Sequence, residues 1–167
     1  KLPEERLTLA LLAEREGIAY APDQLVPYSH WITPEIEPRR FDTRFFLARL
    51  PEGQVAVHDS RELTESRWLT PADALAEHAS GRIVLMPPTL ATVEELAGFS
   101  DSDRLVAAAR VRRIDAILPE AFRAADGFGV LLPNDSQYSL DAFRQPALRG
   151  QTSRVVMREG IWRTCSF

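Results

Sequence analysis

The N-terminal third of the chain carries one helical pattern followed by two strand patterns. Spaced leucines ahead of Gly17 predict an amphipathic helix over about residues 3–16 that the glycine ends. Residues 25–33 are rich in β-branched and aromatic side chains and stop at Pro34, which favours an edge or irregular strand. Residues 43–50 give the strongest strand pattern, and their apolar centre indicates that both faces are covered.

The middle of the chain is predicted to be helical. After a turn at residues 51–53, alternation over residues 54–58 predicts another strand. Thr70 and Pro71 have the form of an N-cap and first helical position for a helix that reaches about Ala79. Thr89 is expected to cap a second helix, and Ser100 or Asp101 a third whose apolar stripe reaches Ile114.

The C-terminal part of the chain changes to short strands and turns. An apolar strand is predicted over residues 128–132, and residues 154–158 and 161–163 flank Glu159 and Gly160 at the spacing of a tight hairpin. This hairpin would form a small satellite sheet. Since no repeat and no long linker interrupts the pattern, residues 1–167 are expected to form a single domain.

Composition and charge narrow the class of protein. With 45% hydrophobic and 26% charged residues, the chain resembles soluble globular proteins, and it has no apolar stretch of membrane-spanning length. A net charge of −4 disfavours nucleic-acid binding, and the densest basic cluster, at Arg110, Arg112 and Arg113, has the spacing of a solvated helix face. The lone Cys165 permits a reducing compartment, so a cytoplasmic protein is expected, and the arginine bias indicates a GC-rich, bacterial genome.

Several short motifs occur in an order that resembles the Nudix superfamily, in particular its acyl-coenzyme A diphosphatase-like branch. The match covers about residues 20–100 and leaves residues 116–167 as a C-terminal extension. Its motifs are Trp31-Ile32-Thr33-Pro34, Arg39 to Phe46, Glu62 and Glu65, Trp68-Leu69-Thr70-Pro71, and Leu85-Met86-Pro87-Pro88-Thr89. The resemblance implies an α/β fold in the form of an α/β/α sandwich with a mixed sheet, here with a C-terminal helical segment and β-hairpin added.

The resemblance also implies hydrolysis of a diphosphate linkage with Mg²⁺ or Mn²⁺ held by a glutamate-rich helix, the Nudix box. Adjacent glutamates supply the oxygens that a hard divalent ion prefers. The sequence lacks this box, since its nearest counterpart, Glu14-Arg15-Glu16-Gly17, has the pattern of a helix end. We expect the box upstream of Lys1, unless the protein has none.

Three residues before the strongest strand and one near a helix start are the candidate substrate-binding residues: Arg39, Arg40, Asp42 and Thr89. A guanidinium suits a substrate phosphate, and a helix start presents backbone N–H groups to anions. The alternatives are a surface ion pair between Asp42 and either arginine, and an ordinary helix cap.

Glu62 and Glu65 are the metal-binding candidates, with Glu65 also a candidate catalytic base, because the resemblance places an assisting carboxylate in this region. Acidic residues before a helix are also common without any function. Phe41, Phe45 and Phe46 are interpreted as core side chains, as are Trp31 and Trp68.

Two functions remain open at this point. The first is a Nudix-type hydrolase acting on a small nucleoside-diphosphate derivative, such as coenzyme A or its thioesters. The second is a non-catalytic Nudix-like domain that binds a nucleotide or a protein. For partners, a homodimer and a partner chain that carries the missing segment are both open.

Overall fold

The computed structural model describes residues 8–58, 65–124, 127–147 and 150–166. In chain order its helices and strands are α1 (Leu9–Glu16), β1 (Val26–Ile32), β2 (Asp42–Leu47), α2 (Pro71–Ala79), α3 (Pro87–Ala97), α4 (Ser102–Val111), β3 (Ala116–Ile117), β4 (Glu120–Ala124), β5 (Gly127–Leu131), β6 (Thr152–Arg158) and β7 (Ile161–Ser166). Short 3₁₀ turns occur at Pro22–Gln24 and Asp141–Phe143. The expected mixture of helices and strands is confirmed.

The first sheet is mixed, as predicted, and has the strand order β2-β1-β3. Its central strand, β1, is antiparallel to β2 and parallel to β3. The register shifts between Pro27 and Ser29, where proline has no N–H for a regular ladder. An irregular strand was therefore the right expectation for residues 25–33, but an edge position was wrong.

β2 is at one edge of this sheet, and the prediction that both its faces are covered is wrong. Phe41 is 58% exposed and Phe46 48% exposed, and only Phe45 of these three phenylalanines is partly buried. Apolar composition identified the strand, but it does not reveal whether a second layer covers each face.

Two further expectations near this strand are wrong. Residues 54–58 form no strand, and Val55 and Val57 are about four-fifths exposed. Trp68 is 76% exposed and so lies outside the core, whereas Trp31 is buried as expected.

The local signals at helix ends were largely correct. Thr70 caps α2 by accepting the Asp73 N–H at 3.1 Å, and Asp101 caps α4 in the same way. Gly17 ends α1 with a φ of 64°, although the helix begins only at Leu9, later than expected, because Thr8 is extended and acts as its N-cap.

Two helix boundaries differ from the prediction. α3 begins at Pro87, with Met86 in the N-cap position, so Thr89 lies inside the first turn and does not cap the helix. α4 ends at Val111, so Ile114 is not part of its apolar stripe. Within the described part of the chain, no helix is long and apolar enough to cross a membrane.

The second sheet is antiparallel in the order β4-β5-β6-β7. The predicted hairpin is confirmed, and both Glu159 and Gly160 have positive φ, as the tightest hairpin turns require. This sheet is more than a satellite. One of the two core clusters lies on it and joins Leu90 of α3 to Val130, Val155 and Trp162.

A buried histidine connects α2 to the second sheet. His78 is 5% exposed, and its Nε2 lies 2.8 Å from the carbonyl oxygen of Trp162 in β7. Its Nδ1 lies 3.1 Å from the backbone nitrogen of Leu85. Since that N–H can only donate, Nδ1 accepts and Nε2 carries the proton that is donated to Trp162.

Tyr28 in β1, Tyr138 in the segment between β5 and β6, and Asp135 are among the buried side chains with polar groups. The Tyr138 hydroxyl donates to the Leu118 carbonyl at 2.6 Å, and burial raises its pKa to about 12. Burial, reinforced by the charge of Glu95, raises the pKa of Tyr28 to about 12 as well. The Asp135 carboxylate is fully buried and accepts two hydrogen bonds from the Arg154 guanidinium, at 2.7 and 2.9 Å.

Candidate substrate-binding site

A cavity of about 510 Å³ is bounded by strands of both sheets and by the start of α3. This volume lies in the usual range for small-molecule sites. Its lining includes all of Trp31-Ile32-Thr33-Pro34, together with Arg39, Phe41, Thr43 and Phe45 and all of Met86-Pro87-Pro88-Thr89. Two neighbouring motifs and a third, much later in the sequence, thus line one concave site.

The alternation of β2 determines which side chains reach the cavity. Phe41, Thr43 and Phe45 line it, whereas the intervening residues do not, as expected for side chains that point to opposite faces in turn. The Thr33 hydroxyl accepts the Phe41 N–H at 2.9 Å and lies 3.3 Å from the Phe41 carbonyl, to which it donates. These bonds connect the end of β1 to the start of β2 at the cavity wall.

Arg39 and Thr89 are the two predicted substrate-binding residues that line the cavity. Arg39 is exposed and forms no salt bridge with any carboxylate of the described residues. Its guanidinium is therefore available to an anionic ligand. Thr89 is partly buried in the first turn of α3.

Arg40 and Asp42 lie away from the cavity wall. The Arg40 Nε donates to the Thr33 carbonyl at 3.0 Å, which ties the connecting segment to the end of β1. Asp42 lies 2.6 Å from His30 Nε2, so the expected alternative of an ion pair between Asp42 and Arg39 or Arg40 is wrong. His30 is thus the partner of Asp42.

The start of α3 offers fewer donors than most helix N-termini. Pro87 and Pro88 occupy its first two positions and have no N–H, and the N–H of Leu90 is bonded to the Met86 carbonyl. Of the stretch Pro87-Pro88-Thr89, only Thr89 can present a backbone N–H to an anion. The sequence predicted several backbone N–H donors for an anion at this helix start, but the structure leaves only one of them, that of Thr89.

The comparisons with known proteins decide the family. The model of the NUDT19 Nudix domain matches residues 12–96, which include all three motifs of the cavity. The chain belongs to this Nudix family.

Curated relatives are acyl-coenzyme A diphosphatases NUDT19. The chain is 34% identical over 140 residues to that of Homo sapiens, covering 80% of this chain and 37% of the relative. It is 30% identical over 139 residues to that of Xenopus laevis, covering 79% and 36%, and 32% identical over 125 residues to that of Gallus gallus, covering 70% and 33%.

The chain therefore spans little more than a third of the length of these relatives. No solved structure gives a significant match. The relatives are eukaryotic, and a bacterial origin and a cytoplasmic location of this chain stay predictions.

The described residues of this Nudix chain do not fit a divalent metal. Glu65 is 73% exposed, lies 3.9 Å from Arg67 Nε and is not on the wall of the cavity. Glu62, the other metal candidate, lies outside the described residues. Over residues 8–58, 65–124, 127–147 and 150–166, no group of three or more His, Cys, Asp or Glu side chains could hold a metal ion.

The far wall of the cavity was missed by sequence reasoning. Phe128 of β5 and Trp162 of β7 pack edge to face there, with ring centroids 6.1 Å apart, and Pro119 and Val130 lie in the same lining. These residues carry no motif. They reach the cavity only because the second sheet packs against α3, a contact that no local pattern predicts.

A second cavity of about 410 Å³ shares Trp31 with the first and has a more polar lining. Its charged groups are largely paired within the protein: Arg112 lies 2.7 Å from Glu95, and Glu94 accepts from the hydroxyls of Thr152 and Thr164. The first cavity, whose Arg39 has no ion-pair partner in the part of the chain that the structure describes, is the better candidate for an anionic substrate.

Proposed function

We propose that the cavity is the substrate site of a Nudix hydrolase that cleaves the diphosphate linkage of coenzyme A or its thioesters. The main support is that three family motifs line one cavity. Arg39 lies at the rim of this cavity and has no ion-pair partner among the described residues. The names of the relatives, acyl-coenzyme A diphosphatases, support the choice of linkage.

Arg39 and Thr89 have complementary roles in this proposal. The planar guanidinium of Arg39 binds the substrate diphosphate with two parallel hydrogen bonds, and the Thr89 backbone N–H adds a neutral donor. The apolar remainder of the wall keeps water away from the bound molecule, which strengthens both contacts. These residues bind and orient the substrate.

The catalytic glutamates, and with them a bound Mg²⁺ or Mn²⁺, are proposed to lie upstream of Lys1. The lack of a metal-ligand group in the described residues supports this placement. The exposure of several large apolar side chains outside the cavity also supports this placement. They are Phe46, Val55, Val57 and Trp68. Exposed apolar side chains of this kind gain stability when more chain or a partner covers them.

Hydrolysis of coenzyme A in the presence of Mg²⁺ tests the proposal. A longer polypeptide that includes the upstream region is expected to release two phosphate monoesters, whereas this chain alone is expected to release none. Replacing Arg39 with alanine should lower kcat/KM about ten- to a hundredfold, as expected for a lost charged hydrogen bond of about 1.5–3 kcal/mol.

The matched control is Arg44→Ala, which removes an arginine from the same strand region but away from the cavity lining. Its kcat/KM should equal that of the wild type. Equal activity of the Arg39 variant and the wild type would contradict the site assignment, and activity of this chain alone would contradict the upstream placement of the glutamates.

A non-catalytic Nudix-like binding domain is the second candidate, favoured by the same lack of a metal-ligand group in the described residues. On this alternative, both polypeptides bind coenzyme A and neither hydrolyses it. If a partner chain supplies the glutamates, activity instead appears only when this chain is mixed with that partner.

A further inference from the structure

Two buried side chains of β1 have polar atoms without a hydrogen-bond partner in the part of the chain that the structure describes. Ser29 is 8% exposed and Trp31 is 4% exposed, and neither the Ser29 Oγ nor the Trp31 Nε1 is hydrogen-bonded. A buried polar group in this state costs about 1–3 kcal/mol, and folded proteins rarely leave one without a partner. These two atoms therefore need a partner that the described residues do not supply.

Both residues line the second cavity, the one of about 410 Å³. They are two positions apart in a strand and so share one face of β1, whereas His30 between them does not line this cavity. Trp31 also borders the first cavity, but Ser29 does not. The volume lies within the range of about 300–1,000 Å³ that small-molecule sites occupy. A small molecule in the second cavity could thus supply the missing partners.

The rest of the second cavity's wall mixes hydrogen-bond donors and acceptors. Asn134, Gln145 and Gln151 contribute amide side chains, each with both kinds of group. Asn134 is buried, and its Nδ2 donates to the Thr152 carbonyl at 3.0 Å, which leaves the amide oxygen as an acceptor. Because a hydroxyl group can both donate and accept, a ligand with several hydroxyl groups matches such a wall.

The charges of this wall do not favour a charged ligand. Its charged residues are two carboxylates, Glu94 and Glu95, and one guanidinium, Arg112, so one negative charge is in excess. Arg112 lies 2.7 Å from Glu95, and both oxygens of Glu94 accept from threonine hydroxyls. The excess negative charge would repel an anion, and a cation would compete with the hydrogen bonds of Glu94. An uncharged polar ligand meets neither obstacle.

We propose that the second cavity is a binding site for an uncharged polyhydroxyl compound, a sugar or a polyol. Oxygen atoms of this ligand accept the Trp31 Nε1–H and bond to the Ser29 hydroxyl, and its other hydroxyl groups contact the amide side chains of the wall. The site does not depend on the proposed hydrolysis, and it gives the chain a ligand other than a coenzyme A derivative.

The indole N–H signals of the three tryptophans in a nuclear magnetic resonance spectrum test the proposal. The probes are ribose and glucose, each compared with its phosphate ester, ribose 5-phosphate or glucose 6-phosphate. The Trp31 signal, identified by its loss in Trp31→Phe, should move saturably as sugar is added. The signals of Trp162, which lines only the first cavity of the two, and of Trp68, which lines neither, should stay in place.

Each phosphate ester should bind more weakly than its parent sugar. A Trp31 signal that neither sugar moves would overturn the proposal. Movement of the Trp162 signal instead of that of Trp31 would place the sugar in the first cavity and also overturn it. Phosphate esters that bind as tightly as the sugars would refute the choice of an uncharged ligand.

A pair of serine variants makes the test specific to the second cavity. Ser29 and Ser153 are both buried, and neither hydroxyl is bonded to the described residues, but only Ser29 lines this cavity. Both variants should fold, since each removes a buried hydroxyl without a partner among those residues. Ser29→Ala should weaken sugar binding about two- to tenfold, as expected for one lost hydrogen bond, and Ser153→Ala should leave it unchanged. Equal sugar affinity of Ser29→Ala and the wild type would refute the site.

Discussion

Replacement of His78 by alanine tests how the two sides of the cavity are held together. His78 donates to the Trp162 carbonyl at 2.8 Å and accepts the Leu85 N–H at 3.1 Å. Trp162 lies in the cavity wall, and Leu85 directly precedes Met86, the N-cap residue of α3. One buried imidazole thus fixes β7 and the start of α3 relative to α2.

The expected loss of stability follows from the two hydrogen bonds of His78. Each contributes about 0.5–1.5 kcal/mol, and a buried partner left without a hydrogen bond costs about 1–3 kcal/mol. We therefore expect His78→Ala to lower the free energy of unfolding by about 3 kcal/mol. For a domain of this size that corresponds to roughly 6–12 °C in Tm.

Urea-induced unfolding followed by circular dichroism measures this difference. The control is His58→Ala, which removes an exposed contact with Ser66 and should change the free energy of unfolding by no more than about 0.5 kcal/mol. If His78→Ala also stayed within about 0.5 kcal/mol of the wild type, the reasoning about this buried hydrogen-bond pair would be refuted.

Two more stability predictions follow from buried polar groups. Asp135→Ala should cost about 1.5–3 kcal/mol because it removes the charged hydrogen bonds between its buried carboxylate and Arg154, whereas Asp141→Ala, at a carboxylate 91% exposed, should cost almost nothing in the same urea assay. Tyr28 and Tyr138 ionise near pH 10 in the unfolded chain, whereas folding raises the pKa of each to about 12. The stability that they contribute should therefore be full below pH 10 and fall up to pH 12. A shift of two pKa units corresponds to about 2.7 kcal/mol before solvent screening, so we expect each tyrosine to contribute about 1–2 kcal/mol to the free energy of unfolding. Thermal unfolding curves that coincide at pH 9.5 and 11.5 would contradict this prediction.

Local signals in the sequence predicted the helix ends and the hairpin. Thr70, Asp101 and Gly17 stand where the chemistry of caps requires them, and the turn at Glu159 and Gly160 joins its strands as expected. Such features depend on residues within a few positions of one another, so a single sequence contains the information they need.

Burial could not be predicted in the same way. Phe41, Phe46 and Trp68 are as apolar as any core residue, yet the described residues leave these side chains uncovered. Phe46 belongs to an edge strand, β2, and Trp68 precedes α2. The motif order did single out Arg39 and Thr89, which both line the cavity, and their role in substrate binding stays a prediction. The wall formed by the second sheet depends on long-range packing, which no spacing along the chain encodes.

The most direct test of the central claim, that three motifs form one substrate site, is a map of backbone amide chemical shifts of this chain with and without coenzyme A. The proposed site predicts the largest changes at Thr33, Arg39 and Thr89 in the lining of the first cavity. Changes concentrated instead at Asn134 and Thr152, in the second cavity, would contradict it.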